Sequence, residues 1–352
     1  MFEKLFAKYA AAHVAKHEPV VSLAHIFKGA APVVTKQAPL SLASVLKAGT
    51  SEGASLAWAK RQQNALPDEA KAKVGDPDGR GLIGPNLSMT DYNASVNAKN
   101  GDDDVTEATI MARLDPKDAA EIKQLTLRAR GEPSSASLFS KDGVYTAERR
   151  ALHEKVIEHF INKASLEAAT PAEGESPKFI VLGGRGGSGK SSFTNGKITE
   201  FVAKNFIKLD SDEIKEFLKP PYAGWNAFSV HEESAAIMEK MTDFLISNRK
   251  NFIHDATMKS MNVEKDILQM KAAGYTVEGH YMYLPRQDSA MRAQERYLGK
   301  DGKRGRLVPA RVILDDMKNN EVVFDTLKKY FSKWSAYDNQ GDAPILLGRS
   351  KK

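Results

Sequence analysis

The sequence predicts an α/β fold, a parallel sheet flanked by helices, and three observations predict it. Short apolar runs near 179–182, 205–209, 251–254 and 275–284 alternate with longer helical patterns, the order expected of strand–helix–strand units. A glycine-rich turn, Gly184 to Ser191, follows the first of these runs directly. Asp210-Ser211-Asp212-Glu213 and Asp255-Ala256-Thr257 end the next two, and sheets of this kind gather their ligands at the carboxyl ends of the strands.

Composition bounds the answer. The chain has 352 residues, enough for one large core or two domains, with 41% hydrophobic and 27% charged residues, as in an ordinary globular protein. It has no cysteine, which excludes disulfides, thiol nucleophiles and cysteine-bound metal centres. A net charge of +6 favours anionic ligands without arguing for nucleic acid. No apolar run approaches the ~20 residues needed to span a bilayer. The first 17 residues lack the uninterrupted apolar core of a secretory signal, so a cytoplasmic location is expected.

Three regions are expected: an Ala/Lys-rich segment over 1–75, disordered or partner-binding; a loop-rich region with a small helical subdomain over 76–141; and the sheet domain over 142–352. The first two make up a mostly helical or partly disordered N-terminal region. Phe2, Leu5, Phe6 and Tyr9 have helical spacing. Ser22 to Lys28 is echoed by Ser41 to Lys47, too short a repeat for a solenoid. Residues 76–101, dense in Gly, Asn, Asp and Pro, read as loop or short strands joined by turns. Asp104 to Glu107 has capping-box spacing ahead of a helix carrying Ile110, Met111 and Leu114. Asp115-Pro116 opens another helix, closed by Gly131.

From residue 142 the elements follow quickly. Thr146 caps a helix running to about Asn162, with Leu152, Val156 and Phe160 on one face. Residues 164–177 read as a polar linker into the strand 179–182. Helices are expected from about Lys190, over 231–249 and over 263–273, where Gly274 stops the last one. Pro285 follows the fourth strand.

The chemistry lies at the strand ends. Gly184, Arg185, Gly186, Gly187, Ser188, Gly189, Lys190 and Ser191 satisfy the phosphate-loop pattern G-x-x-x-x-G-K-S/T, and Ser192 extends it. The glycines let backbone approach a polyphosphate where a Cβ would intrude. Lys190 is placed to reach the β- and γ-phosphates, Ser191 to ligate Mg²⁺, and a helix starting there points its positive end at the same anion. The sheet brings Asp210, Asp212, Asp255 and Thr257 to that edge, where a carboxylate can bind Mg²⁺ or accept a proton from an attacking hydroxyl. By itself Asp212 reads as a helix cap. Next to a phosphate loop it reads as catalytic. Arg292 to Arg311 is rich in Arg and Lys, and reads either as a solvated basic helix and loop or as a lid closing on the nucleotide. Glu232 and Glu233 complement a helix dipole, with a substrate contact through Glu233 as the alternative.

Taken together these pieces, from about Tyr145 to Pro309, resemble the zeta-toxin family of P-loop kinases. Thr146 to Arg150 with His153 resembles the helix preceding the phosphate loop in longer members. Leu209-Asp210-Ser211-Asp212-Glu213-Ile214-Lys215 resembles the family's I-D-x-D segment. Val230 to Ser234 resembles a helix start, Ile253 to Thr257 a strand end of the form E/D-G-T, and Arg296-Tyr297 and Arg306 to Pro309 the two arginine segments. The resemblance implies a P-loop kinase-like fold and phosphorylation of the 3′-hydroxyl of UDP-N-acetylglucosamine by ATP or GTP with Mg²⁺. It implies Asp212 as general base, Lys190 as the loop lysine, and Arg296 and Arg306 as stabilisers of the transferring phosphate. Asp210, Glu233, Asp255 and Thr257 are then substrate-side residues, with Ser191 and Asp255 as the metal ligands. Two departures stand out: Ala256 replaces the usual glycine, and Asp255 stands where glutamate is common. Zeta-type toxins are held inactive by an antitoxin, so residues 1–140 are expected to obstruct the site in cis or to recruit the kinase elsewhere.

Two other readings remain open at this stage. One is a kinase of an antibiotic or a nucleic-acid end, although no aromatic-rich platform accompanies the basic segment. The other is a P-loop binding module whose nucleotide state controls assembly.

Overall fold

The computed structural model describes residues 86–100, 104–194, 205–300, 302 and 304–350, all within the unit Ala59–Lys352. The segment 1–75, with its amphipathic pattern and its repeat, lies outside the described residues.

Residues read as loop on composition begin the described chain as a helix, α1 (Met89–Asn100). Its N-terminus is capped from afar: the Asp325 carboxylate accepts the backbone N–H of Met89 at 3.0 Å and of Thr90 at 2.8 Å. Leu87, Met89 and Val96 are buried. Tertiary contacts thus override a composition that favours turns. In α2 (Glu107–Met111) the capping box is present, but Thr106 is its N-cap, paired reciprocally with Thr109, and Asp104 precedes it. Asp115 caps α3 (Pro116–Ala129), with proline in the first turn as expected.

A short helix α4 (Ser135–Phe139) leads into a two-stranded hairpin, β1 (Ser140–Lys141) and β2 (Val144–Tyr145). Thr146 caps α5 (Ala147–Phe160), whose buried face carries Arg149, His153, Val156 and Ile157. The stretch read as linker contains a helix of its own, α6 (Lys163–Ala168), with Asn162 and Ser165 forming a capping box.

The sheet then builds as predicted and continues further. Its strands are β3 (Lys178–Gly183), β4 (Ile207–Leu209), β5 (Phe252–Asp255), β6 (Thr276–Tyr283), β7 (Lys333–Asp338) and β8 (Ile345–Arg349). They lie in the order β4-β5-β3-β6-β7-β8, all pairs parallel except β7 with β8. The last two strands extend the sheet beyond the four read from sequence. Its helices are α7 (Ser191–Thr194), α8 (Ser211–Phe217), α9 (His231–Ser247), α10 (Asn262–Ala272), α11 (Arg286–Leu298) and α12 (Asn320–Leu327).

Strand β3 sits inside the sheet and is buried from Phe179 to Gly183, as a strand covered on both faces must be. Ile180, Leu182, Phe193, Ile253, Met282 and Tyr337 pack as one core layer. The register sets Leu182 beside Asp255 and Tyr283 beside Asp338, so the phosphate loop, Asp255 and the end of β7 emerge at one edge. A second core cluster joins Ile110 to Ala290, Ala293, Val308, Ala310 and Ile313. A third joins Leu114 and Ile122 to Tyr297 and Leu307. Helices α2 and α3 are thus packed against α11 and the segment after it, while α1 packs on α12. Among the described residues no helix is long and apolar enough to cross a membrane.

Candidate active site

The phosphate loop is shaped by backbone that only glycine adopts easily. Gly187 and Gly189 have φ of +86° and +88°. A Cβ on Gly187 would stand 2.5 Å from the Ser289 carbonyl oxygen, and one on Gly189 would stand 2.1 Å from Asn339 Nδ2. Asn339, just past β7, donates from that nitrogen to the Ser188 carbonyl at 2.8 Å. The Gly184 N–H donates to the Thr257 carbonyl at 3.3 Å. Lys190 folds over the loop and donates from Nζ to the carbonyls of Gly184 (2.9 Å) and Arg185 (3.2 Å).

Arg185 belongs to the loop by its backbone only. Its side chain is 1% exposed and faces inward, where Nη1 and Nη2 grip the two Glu321 carboxylate oxygens at 2.5 and 2.6 Å. Tyr281 donates to the same carboxylate at 2.8 Å. Burial opposes the guanidinium charge, and Glu321 more than restores it. Arg185 was expected as a position of the nucleotide-binding loop; its backbone is there, and the bidentate partner holds its side chain in the core.

At the end of β4, Asp210 is the cap of α8, its Oδ1 accepting the Asp212 N–H at 2.9 Å. That leaves the Asp212 carboxylate in the first turn, where it is paired with Arg306 and, at 2.9 Å, with Lys215. Burial pushes Asp212 up, but the charges of Arg306 and Lys215 hold it at about 2. Lys208 donates to Asp210 at 3.1 Å and to Glu213 at 2.6 Å. At the end of β5, Asp255 lies 3.8 Å from Lys190 Nζ. Burial raises it to about 6 against the pull of Lys190, and the charges of Asp210 and Asp212 add to the rise. Three carboxylates therefore share this edge closely enough to feel one another. Thr257 supports the loop through its carbonyl, which also accepts from Asn320 Nδ2 at 2.6 Å.

The basic segment divides its labour. Gly299 ends α11 in the left-handed conformation, and the chain returns so that the Gly305 N–H meets the Arg296 carbonyl at 2.8 Å. Arg306 then reaches Asp212. Arg304 turns away to Glu121 on α3, at 2.8 and 3.1 Å. Arg292 donates to the Asn339 carbonyl at 3.1 Å.

Glu233 does not join this group. It is 0% exposed, and it accepts from Arg149 Nε and Nη2 at 2.6 and 2.8 Å and contacts His153 Nε2 at 2.6 Å. Burial pushes its carboxyl up, and the bonds from His153 and Arg149 bring it down to about 2. It ties α5 to α9, which replaces the substrate contact expected from sequence.

The residues present suit a hard divalent cation shared with a nucleotide. The Ser191 hydroxyl and the Asp255 carboxylate are oxygen donors, and among the described residues no cluster of three acidic, His or Cys side chains encloses a metal. Mg²⁺ is commonly held that way, by one or two protein oxygens with phosphate and water completing the shell.

Asn339, Glu321, Lys208 and Glu121 were missed by the sequence reading, and Lys215 entered it only as the last residue of the 209–215 segment. Asn339 follows β7 directly, and identifying that strand would have brought it to the carboxyl edge.

A family model described as Zeta toxin matches residues 162–350, more than half of the chain. Among solved structures, a chain of the AvrRxo1-ORF1:-ORF2 crystal structure with ATP is similar at 16% identity and a TM-score of 0.48, covering 61% of this chain and 76% of that one. A chain from the PezAT chromosomal toxin–antitoxin system of the human pathogen Streptococcus pneumoniae is similar at 18% identity and a TM-score of 0.44, covering 57% and 81%. Among curated proteins none matches. The chain belongs to the zeta toxin family of P-loop kinases.

Proposed function

We propose that the protein transfers the γ-phosphoryl group of Mg²⁺-bound ATP or GTP to a hydroxyl of a small acceptor, with the 3′-hydroxyl of UDP-N-acetylglucosamine as the leading candidate. One observation carries the reading: Asp212, paired with Arg306, shares the carboxyl edge of the sheet with the Lys190–Asp255 pair of the phosphate loop. A binding module needs the loop but has no use for a carboxylate and an arginine at the acceptor side.

In this reading the acceptor oxygen forms a bond to the γ-phosphorus as the bond to the β,γ-bridging oxygen breaks, and the nucleoside diphosphate leaves with that electron pair. Asp212 takes the acceptor's proton. Lys190 exchanges its two loop carbonyls for phosphate oxygens, and Arg306, joined by Arg296 from the end of α11, neutralises charge on the transferring group. Ser191 and Asp255 would hold Mg²⁺, which would supply charge neutralisation on the nucleotide phosphates. Thr257 supports the loop through its carbonyl, Asp210 sets the first turn that carries Asp212, and both stand on the substrate side. An antitoxin partner and a cytoplasmic setting accompany the proposal.

An acceptor screen by mass spectrometry tests it. Purified protein with ATP and Mg²⁺ should add one phosphate to UDP-N-acetylglucosamine, and a Lys190→Ala control should add none. Phosphate on another hydroxyl compound would keep the kinase and replace the substrate. Nucleotide binding without transfer to any acceptor would favour a binding module.

A further inference from the structure

We infer that the helices ahead of the family-matched region brace the two halves of the phosphate site, with Tyr92 on α1 and Glu121 on α3 as positioning residues. The geometry stands alone; its consequence for turnover rests on the kinase reading.

The first half is the phosphate loop. Tyr92 donates to Asp338 Oδ2 at 2.5 Å, and its ring meets that of Tyr283 edge-on with centroids 5.1 Å apart. Tyr283 in turn donates to Asn93 Oδ1 at 3.1 Å. Tyr283 and Asp338 are register partners at the ends of β6 and β7. The next residue, Asn339, binds the Tyr283 carbonyl through its N–H at 3.0 Å and the Ser188 carbonyl through Nδ2. A short path of hydrogen bonds thus runs from α1 to the loop backbone. The same end of α1 is anchored as well, since Asp325 of α12 caps its N-terminus.

The second half is the arginine segment. Glu121 accepts from both Arg304 nitrogens and from Tyr297 at 2.9 Å, and the Arg304 guanidinium lies over the Tyr297 ring, 5.2 Å from its centroid. Beneath them Leu114 and Ile122 pack with Leu307. Arg304 and Leu307 stand on either side of Arg306, so α3 grips the chain on both flanks of the arginine that reaches Asp212. A bridge this exposed adds little stability. Its bidentate, ring-backed geometry adds direction.

Obstruction of the site in cis, or recruitment of the kinase elsewhere, was the expected role for residues 1–140. The ion pairs and hydrogen bonds of Lys190, Asp212 and Asp255 described above all come from residues 184–306. Within the described part, the N-terminal helices instead contact the supports of the site.

Two near-isosteric variants of the full chain test the brace, Tyr92→Phe and Glu121→Gln. Amide hydrogen exchange, binding of a non-hydrolysable ATP analogue with Mg²⁺, and turnover would be read for each. Tyr92→Phe should speed exchange over 186–193 and weaken analogue binding about three- to tenfold. Glu121→Gln should speed exchange over 299–307, leave analogue binding within about twofold and lower turnover about five- to tenfold. Unchanged exchange in both segments overturns the brace, as does a uniform rise along the chain with a lower Tm. A wild-type protein that binds the analogue but phosphorylates no acceptor defeats the kinase reading alone, and exchange and binding still decide the brace.

Discussion

Arg306 and Asp212 form an ion pair at the carboxyl edge of the sheet, and Lys215 takes the other carboxylate oxygen at 2.9 Å. A carboxyl held at about 2 is a weak proton acceptor. In the proposed reaction an incoming phosphate draws Arg306 away, removes one of two counterions and raises the basicity of Asp212 as the acceptor arrives.

Arg306→Ala should therefore do two things. Turnover should fall by about 10²–10³-fold, as when a charge-stabilising donor is lost. The acidic limb of the kcat/KM profile should also move to higher pH, because a carboxyl that loses a cation becomes easier to protonate. A pH–rate series on both proteins checks it; an unmoved limb would detach the arginine from the base.

Asp212→Asn should lower turnover by about 10²–10⁴-fold, the usual share of a general base, with nucleotide affinity nearly unchanged. Single-turnover kinetics beside equilibrium binding separates the two effects. Retained transfer would remove Asp212 as the base.

Glu233→Gln should act on stability and leave the KM values alone. Breaking a buried ion pair by removing one partner costs about 3–5 kcal/mol. The sign with pH follows from its carboxyl, held at about 2 in the fold against 4.5 otherwise. A depressed carboxyl contributes stability above its unfolded value, and that contribution is lost as pH falls from about 4.5 towards 2. The variant should lose this pH-dependent component, which urea melts across that range would show.

Gly189→Ala should damage the phosphate loop in two ways, through its φ of +88° and through the collision with Asn339 Nδ2. Strained backbone of this kind costs about 1–3 kcal/mol. Adding Asn339→Ala relieves the collision but not the φ, so nucleotide affinity, measured by calorimetry, should recover only in part.

Arg185→Met should destabilise the protein by about 3–5 kcal/mol, because Glu321 is left charged in the core. The double variant with Glu321→Leu should regain most of that loss in denaturant melts, while an unrelated pair of effects would simply add.

The four strands between 178 and 284, the helices between them and those opened by Asp115 and Thr146 were legible because their signals are local. Apolar runs of four to eight residues, Thr146 and Asp115 as caps, Pro116 in a first turn and Gly274 as a stop each act over a few residues. Helix α1 was not legible, because part of its cap, Asp325, comes from 235 positions along the chain. Strands β7 and β8 were missed at the far end of the chain, and with them Asn339. The core role of the Arg185 side chain was not legible for a related reason: its loop position is visible in the sequence, but its partner Glu321 lies 136 residues away.

By itself the sequence determined the phosphate loop, the parallel sheet behind it and the acidic strand ends, since the order of strands and turns dictates where those ends emerge. The tertiary structure decided which charges meet. Arg306 on Asp212, Arg304 on Glu121, Arg149 and His153 on Glu233, and Arg185 on Glu321 are selections among many possible pairs. A guanidinium or carboxylate carries the same charge wherever it stands. Its partner and its pKa are set by burial and by distances that exist only once the sheet has closed.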